Sequence, residues 1–209
     1  MNQIVFLLMT LTLLLILSTL RIGWEEHGES VENRLCETDE ITRCVWRGHT
    51  CINAFAAVRL MLPDDRWGIA APVSLAKMSG LSRWRYTHAR VQTLPRFVDF
   101  MVRNPDGNAT VSLNLIRIVP EEAELVSAEK YTQTLADAAL ADESGQVVFL
   151  GREERLLCGR KYLSVRFDYP QEGCKSCLLV RRKGDYLIQL PFFGPSEEAI
   201  EKMMRLFAE

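Results

Sequence analysis

The C-terminal part of the chain contains three strand-like segments whose connections are too short to hold a helix. Residues 161–167, 177–182 and 186–190 have the short apolar patterns of strands, and Gly184 marks a turn between the last two. Parallel neighbours would need a crossover connection of about a dozen residues or more. We therefore expect antiparallel pairing, and a doubly wound parallel fold is disfavoured.

A further hairpin and two helices are predicted around these strands. Residues 97–103 and 110–118 are strand-like, and residues 104–108 form a turn sequence in which proline fixes φ and Gly or Asn tolerates positive φ. Amphipathic helices are expected after Ser127 and Ser196, which are of the residue type that caps helix N-termini. Such helices need an apolar sheet face to cover. The predicted fold class is α+β, a central antiparallel sheet flanked by helices.

The N-terminal segment is apolar and uncharged. From Ile4 to Leu20 the only polar side chains are hydroxyls, which a helix can satisfy internally. At about 1.5 Å per residue the run covers about 25 Å, close to a membrane span if Ile22 joins it and Arg21 snorkels. A basic start and a small-residue cleavage site are missing. We predict one uncleaved transmembrane anchor (a signal-anchor) over residues 1–22, in preference to a cleaved signal or a buried helix.

The side of the membrane follows from two opposing signals. Arg21, on the C-terminal flank of the anchor, alone favours a cytoplasmic domain. Six cysteines, an even number, favour an oxidising compartment in which disulfides persist. We give the cysteines more weight and expect a single-pass protein whose domain is periplasmic or otherwise extracytoplasmic.

The cysteines also suggest how the chain is divided. Residues 23–53 are expected to be a polar linker, and residues 54–209 the α+β domain. Bridges from linker to domain would pin the linker, although six cysteines allow fifteen pairings. The disulfide candidates, three in the linker and three in the domain, are Cys36, Cys44, Cys51, Cys158, Cys174 and Cys177.

Cys174 and Cys177 form a C-x-x-C motif with three interpretations. A redox pair needs the first cysteine at a helix N-terminus, whereas here a strand-like segment follows. A zinc site needs a second ligand pair, which Cys44, Cys51 and His49 could supply only with irregular spacing. A structural disulfide or two buried thiols is the favoured interpretation.

No residues form a recognisable catalytic or phosphate-binding signature. Nucleophile-elbow, metalloprotease, P-loop and dinucleotide motifs are missing, and the histidines are His27, His49 and His88. The net charge of −2 argues against nucleic acid as a partner. The basic run at residues 181–183 precedes a Gly-Asp pair and is expected to be a solvated hairpin tip. We therefore expect a protein that is not an enzyme and has neither cofactor nor metal.

One short cluster combines aromatic and basic side chains. Arg83, Trp84, Arg85 and Tyr86 are the residue types enriched at binding hot spots, so this cluster is the candidate binding site. The alternative is a strand with one face buried.

The C-terminal three-quarters resembles a known family. Leu62-Pro63 with Trp67 shortly after, the strand at residues 111–115, a central helix, Gly-Arg-Glu at residues 151–153 and Gly-Arg-Lys-Tyr at residues 159–162 are similar in order to the PsbP/DcrB-like (MOG-type) fold, over about residues 54–209. The resemblance implies an antiparallel sheet with helices on both sides. It also implies a non-enzymatic partner protein, as in periplasmic envelope proteins, photosystem subunits and toxin-blocking immunity proteins. The family has no shared catalytic motif to transfer.

Two hypotheses for function follow. The first is a membrane-anchored extracytoplasmic binding or accessory protein, without catalytic activity, that engages another envelope protein or a secreted toxin. The alternative is a cytoplasm-facing domain that responds to metal or redox state through Cys174 and Cys177.

Overall fold

A computed structural model describes residues 37–124 and 126–207 of the chain. The predicted anchor at residues 1–22 and Cys36 lie outside these ranges. Within the described ranges, no helix is long and apolar enough to cross a membrane.

Ten strands and four α-helices occur in the part of the chain that the structure describes. The strands are β1 (Val45–Arg47), β2 (Thr50–Asn53), β3 (Val58–Met61), β4 (Gly68–Ile69), β5 (Arg96–Arg103), β6 (Thr110–Arg117), β7 (Val148–Leu157), β8 (Arg160–Tyr169), β9 (Cys174–Lys183) and β10 (Tyr186–Gly194). The helices are α1 (Pro72–Met78), α2 (Arg83–His88), α3 (Ala128–Leu140) and α4 (Glu197–Met204), with short 3₁₀ turns at Val91–Thr93 and Pro120–Glu122.

The main sheet has seven strands in the order β4-β5-β6-β10-β9-β8-β7. All its neighbours pair antiparallel, which confirms the prediction made from the short connections. A smaller antiparallel sheet has the order β1-β2-β3. The fold class is therefore α+β with antiparallel sheets, as predicted.

Helices lie on both faces of the main sheet. Leu187 and Ile188 are consecutive on β10 and point to opposite faces, so they belong to two different apolar clusters. Ile188 packs in the larger cluster, which includes Met203 of α4, and Leu187 packs in the smaller one, which includes Ala128 of α3. Because both faces are covered, polar residues of the central strands, such as Ser112 and Gln189, are buried as well.

Serine caps begin the two longer helices as predicted. The Ser127 hydroxyl accepts a hydrogen bond from the Lys130 backbone N–H at 3.1 Å, and the Ser196 hydroxyl accepts one from Ala199 N–H at 3.2 Å. Each cap satisfies one backbone donor that the helix itself leaves free.

Two regions differ from the sequence-based expectations. Residues 45–53 were assigned to the linker but form β1 and β2, and the compact unit begins at Glu37. These strands are only three and four residues long, too short to show a clear period of two. The cluster at residues 83–86 had a strand as its alternative interpretation. These residues lie in helix α2 and not in a strand.

Candidate binding surface

Helices α1 and α2 form a short helical hairpin beside strand β5. Its buried side chains are Leu75, Ala76 and Tyr86. The Tyr86 hydroxyl donates to the Val98 carbonyl oxygen at 2.8 Å, and its ring stacks on Phe97 with centroids 4.9 Å apart. The Tyr86 side chain therefore fixes α2 to the main sheet.

The helical repeat turns Trp84 away from that contact. Successive side chains are rotated by about 100°, so Trp84 points about 200° away from Tyr86. Trp84 is 71% exposed, and its ring stacks on His88, one turn later, with centroids 5.1 Å apart. Arg83 and Arg85 are exposed on either side of it. Helix α2 thus presents a tryptophan flanked by two guanidinium groups.

Helix α1 adds residues that lie outside the predicted cluster at residues 83–86. Val73 and Met78 are exposed apolar side chains, and Lys77 is exposed between them in sequence. We call Val73, Lys77, Met78, Arg83, Trp84 and Arg85 the hairpin surface. Tyr86 was predicted as a binding residue, but it is only 4% exposed and is not part of this surface. Helical spacing is the reason, because Tyr86 is two residues after Trp84 and its side chain is therefore rotated by about 200° around the helix.

The charge of this region is one-sided. Residues 67–98 contain five basic residues and no Asp or Glu, although the whole chain has 27 acidic residues and a net charge of −2. The five, all exposed, are Lys77, Arg83, Arg85, Arg90 and Arg96. None of the ion pairs found among the described residues includes them. A scan for acid-free windows would have extended the predicted cluster in both directions.

The base of the hairpin is held by the segment that precedes β1. The Arg43 guanidinium donates to the carbonyl oxygens of Tyr86 and Ala89, near the end of α2. It also lies over the Tyr86 and Phe97 rings, 5.0 and 4.7 Å from their centroids. Cation–π contacts of this kind contribute about 0.5–2 kcal/mol, more when desolvated. Arg43 therefore links the start of the compact unit to the hairpin.

A buried carboxylate fixes the same segment one residue further on. Asp99 lies at a β-bulge of β5, and its Oδ2 accepts from Cys44 N–H and from Asn53 Nδ2, both at 2.7 Å. Burial raises the pKa of Asp99 to about 6, although these two hydrogen bonds and the nearby Arg43 charge act in the opposite direction. Asp99 thus connects the small sheet to the main sheet, and burying its charge costs free energy.

Glu37 is surrounded by cations at the first described residues. Its carboxylate lies 2.5 Å from Arg160, 2.9 Å from Lys183 and 3.4 Å from Arg181. Burial alone would raise the pKa of Glu37, but the hydrogen bond from Lys183 and the three positive charges hold it below its usual value. Lys183 also donates to the Thr38 carbonyl oxygen at 2.7 Å. The chain is therefore bound to the sheet from residue 37 onward.

This arrangement corrects the expected solvated tip at residues 181–183. The side chains of Arg181 and Lys183 are mostly buried, and each contacts Glu37. Arg182 points to the other face and donates to the carbonyl oxygens of Ala123 and Val126. The expectation was wrong because residues 37–39, distant in sequence, cover the end of β9.

Two of the disulfide candidates are bridged. Cys44 and Cys51 form a disulfide across the β1–β2 hairpin, with Cα atoms 6.1 Å apart. The bridge is local, and it is one of the fifteen pairings that the sequence left open. Cys158, Cys174 and Cys177 are free thiols.

The C-x-x-C motif does not bring its two thiols together. Cys174 and Cys177 are three residues apart on the extended strand β9, so they point to opposite faces of the sheet. Burial raises the pKa of Cys177 to about 11, and burial with the nearby Glu172 raises the pKa of Cys174. Raised thiol pKa values are the reverse of what a redox-active cysteine needs.

The remaining candidates for chemistry are scattered. In the described part of the chain, no three His, Cys, Asp or Glu side chains are placed to hold a metal ion. His49 lies 3.2 Å from Asp65, His88 stacks on Trp84, and His27 is outside the described residues. None of these contacts joins a histidine to a nucleophile.

A cleft lies between the segment that follows β3, the turn that joins β5 to β6, and the start of α4. It has a volume of about 560 Å³ and is lined by Trp67, Asp106, Asn108, Glu198 and Lys202, among others. Its charges are mixed, and Arg66 at its rim is paired with Asp64 at 2.7 Å. The cleft therefore lacks the charge bias of the hairpin surface, and its tryptophan, Trp67, is only partly exposed.

Comparisons with known proteins add a likeness to solved structures. No protein-family profile and no curated protein sequence matches the chain. Among solved structures, the chain is similar to cyanobacterial PsbP (CyanoP) from Synechocystis sp. PCC 6803, determined in solution. The match has a TM-score of 0.42 and 11% identity, and covers 73% of this chain and 86% of that one. It returns the family that the sequence motifs resemble, and at this similarity it carries no argument about function.

Proposed function

We propose that this chain is a membrane-anchored, extracytoplasmic binding protein without catalytic activity, and that the hairpin surface binds an acidic partner. The observation that carries the proposal is an exposed Trp84 between Arg83 and Arg85, inside a 32-residue segment without acids. Trp and Arg dominate binding hot spots, and complementary charge guides association. An envelope protein or a secreted toxin as the partner stays a prediction.

The placement of the domain has two kinds of support. The Cys44–Cys51 disulfide suits an oxidising compartment. The contacts of Glu37, Arg43 and Asp99 tie down the chain directly after the residues that would join it to the anchor.

The absence of catalysis is also part of the proposal. Cys177 has a raised pKa, and the described histidines contact Asp65 and Trp84 rather than a nucleophile. A covalent or general-base mechanism would need an activated group of this type. These contacts therefore favour binding over hydrolysis.

The placement can be tested on membranes from cells that express the full-length chain. We expect the chain to stay in the pellet after alkaline carbonate extraction, and a variant without residues 1–22 to be released. Alkylation without reduction, followed by mass spectrometry, should leave Cys44 and Cys51 unmodified. A soluble chain with reduced thiols would refute the placement, and reduced thiols with stoichiometric zinc would favour the metal- or redox-responsive alternative.

The binding surface can be tested with a photo-crosslinking amino acid at position 84. Position 156 is the matched control, because Leu156 is as exposed as Trp84 but lies on β7. We expect adducts at position 84 that disappear when Arg83 and Arg85 are replaced by Gln. Equal adducts at both positions would refute the assignment of the surface.

A further inference from the structure

We propose that the acidic partner of the hairpin surface is the anionic surface of a lipid bilayer, on which the domain lies. The inference rests on the proposed function, since it takes the same surface and the same anchor and names the class of partner. Its basis is the combination of exposed apolar side chains and unopposed cations on one helical hairpin.

The apolar part of the surface suits the membrane interface. Trp84, Val73 and Met78 are 71%, 56% and 37% exposed, and all three belong to one helical hairpin. Tryptophan prefers the level of the lipid headgroups, where its ring is partly buried and its N–H stays hydrated. Helix α2 holds the Trp84 ring outward because Tyr86 anchors the opposite side of the helix. The ring can therefore enter the interface without any rearrangement of the hairpin.

The charged part of the surface suits anionic headgroups. Arg83 and Arg85 are the sequence neighbours of Trp84, and Lys77 is the sequence neighbour of Met78; all of these side chains are exposed. Each Lys or Arg close to an anionic membrane strengthens binding about fivefold, and salt screens this attraction. Guanidinium groups also bind phosphate with two parallel hydrogen bonds. Basic residues around an exposed aromatic residue are typical of surfaces that lie in the interface.

The tether favours a bilayer over a separate acidic protein. Fourteen residues, 23–36, separate the predicted anchor from Glu37, and they can span at most about 50 Å. Docking is then intramolecular, so even weak attraction suffices because the effective concentration of the membrane surface is high. From Glu37 the chain runs to Arg43, whose guanidinium holds the end of α2. The segment nearest the anchor and the hairpin surface are therefore joined by a short, fixed path.

Fluorescence quenching by brominated lipids tests the inference on the full-length chain in nanodiscs. The chain has four tryptophans, so the contribution of Trp84 is the difference in emission between the native chain and Trp84→Phe. We expect brominated lipids to quench this contribution in discs with about one-third phosphatidylglycerol. Quenching should be weak in discs of phosphatidylcholine alone. In the phosphatidylglycerol discs it should fall at about 1 M salt, where the screening length is about 3 Å.

Matched variants show which residues carry the docking. The double variant Arg83→Gln/Arg85→Gln should lower the ratio of docked to undocked chain about 25-fold, because each of the two charges contributes a factor of about five. The control Lys202→Gln/Arg205→Gln removes two exposed cations at the end of α4 and should leave the ratio unchanged. Equal effects of the two double variants would overturn the assignment.

The outcomes separate this inference from the proposed function. Unquenched Trp84 in phosphatidylglycerol discs, or photo-adducts at position 84 with protein but not lipid, overturns the bilayer as partner and leaves the binding surface intact. If carbonate extracts the full-length chain, the anchor fails instead. Brominated vesicles added to the soluble chain then give the answer: quenching of Trp84 supports the docking surface, and no quenching overturns it.

Discussion

Asp99 provides the sharpest test of the physical reasoning, because its charge is buried and its two donors are known. Its Oδ2 accepts from Cys44 N–H and Asn53 Nδ2, and its pKa is raised from 3.8 to about 6. A shift of about two pKa units corresponds to about 3 kcal/mol between the protonated and charged forms. The folded state therefore binds a proton more tightly than the unfolded state.

The sign of the pH dependence follows from this. Between pH 4 and pH 6 the folded protein is protonated at Asp99 while the unfolded chain is not, so stability due to this group falls as pH rises. The contribution is fully present below about pH 4 and lost above about pH 6. Asp99→Asn keeps an acceptor oxygen for both donors and cannot titrate. We therefore expect its free energy of unfolding, relative to the native chain, to increase by about 3 kcal/mol from pH 4 to pH 7.

Asp99→Ala is the matched variant that removes the acceptor. It leaves Cys44 N–H and Asn53 Nδ2 without their hydrogen bonds to Asp99, at about 1–3 kcal/mol for each buried donor. Both variants and the native chain can be compared by urea unfolding in detergent micelles, followed by tryptophan fluorescence at pH 4 to 7. A difference between Asp99→Asn and the native chain that does not change with pH would refute the reasoning.

Three further predictions concern other contacts of the described domain. Replacing Cys44 and Cys51 together by Ser should lower stability by about 2–3 kcal/mol, since the disulfide closes a short loop, and urea unfolding measures this. Tyr86→Phe removes the hydrogen bond to the Val98 carbonyl and should cost about 1 kcal/mol; hydrogen exchange of the α2 amides should increase, and unchanged exchange would contradict this role. Cys177, with its raised pKa and buried position, should react with iodoacetamide at pH 8 far more slowly than half-exposed Cys174, and equal rates would show that β9 opens.

The elements predicted correctly are those with strong local signals. The turn at residues 104–108 lies between β5 and β6, and Ser127 and Ser196 accept the capping hydrogen bonds expected of them. Each of these features depends on a few consecutive residues and their backbone preferences. The antiparallel pairing of β8, β9 and β10 followed from the short connections between these strands.

The elements that were missed depend on distant contacts. Strands β1 and β2 are short, and they are held by their disulfide and by Asp99, which is about fifty residues away in sequence. Lys183 is buried because Glu37 lies over it, although the two are far apart in the chain. No window of consecutive residues contains these interactions, so periodicity cannot reveal them.

The candidate site shows the same division between local pattern and tertiary contact. Composition alone marks residues 67–98 as basic and acid-free, and the residue types around Trp84 mark a binding cluster. Only the tertiary structure decided that Tyr86 is buried against Phe97 while Trp84 is exposed. The physical reason is that sequence determines which side chains are available and how a helix spaces them, whereas burial depends on where the sheet lies, and the sheet is built from strands distributed along the whole domain.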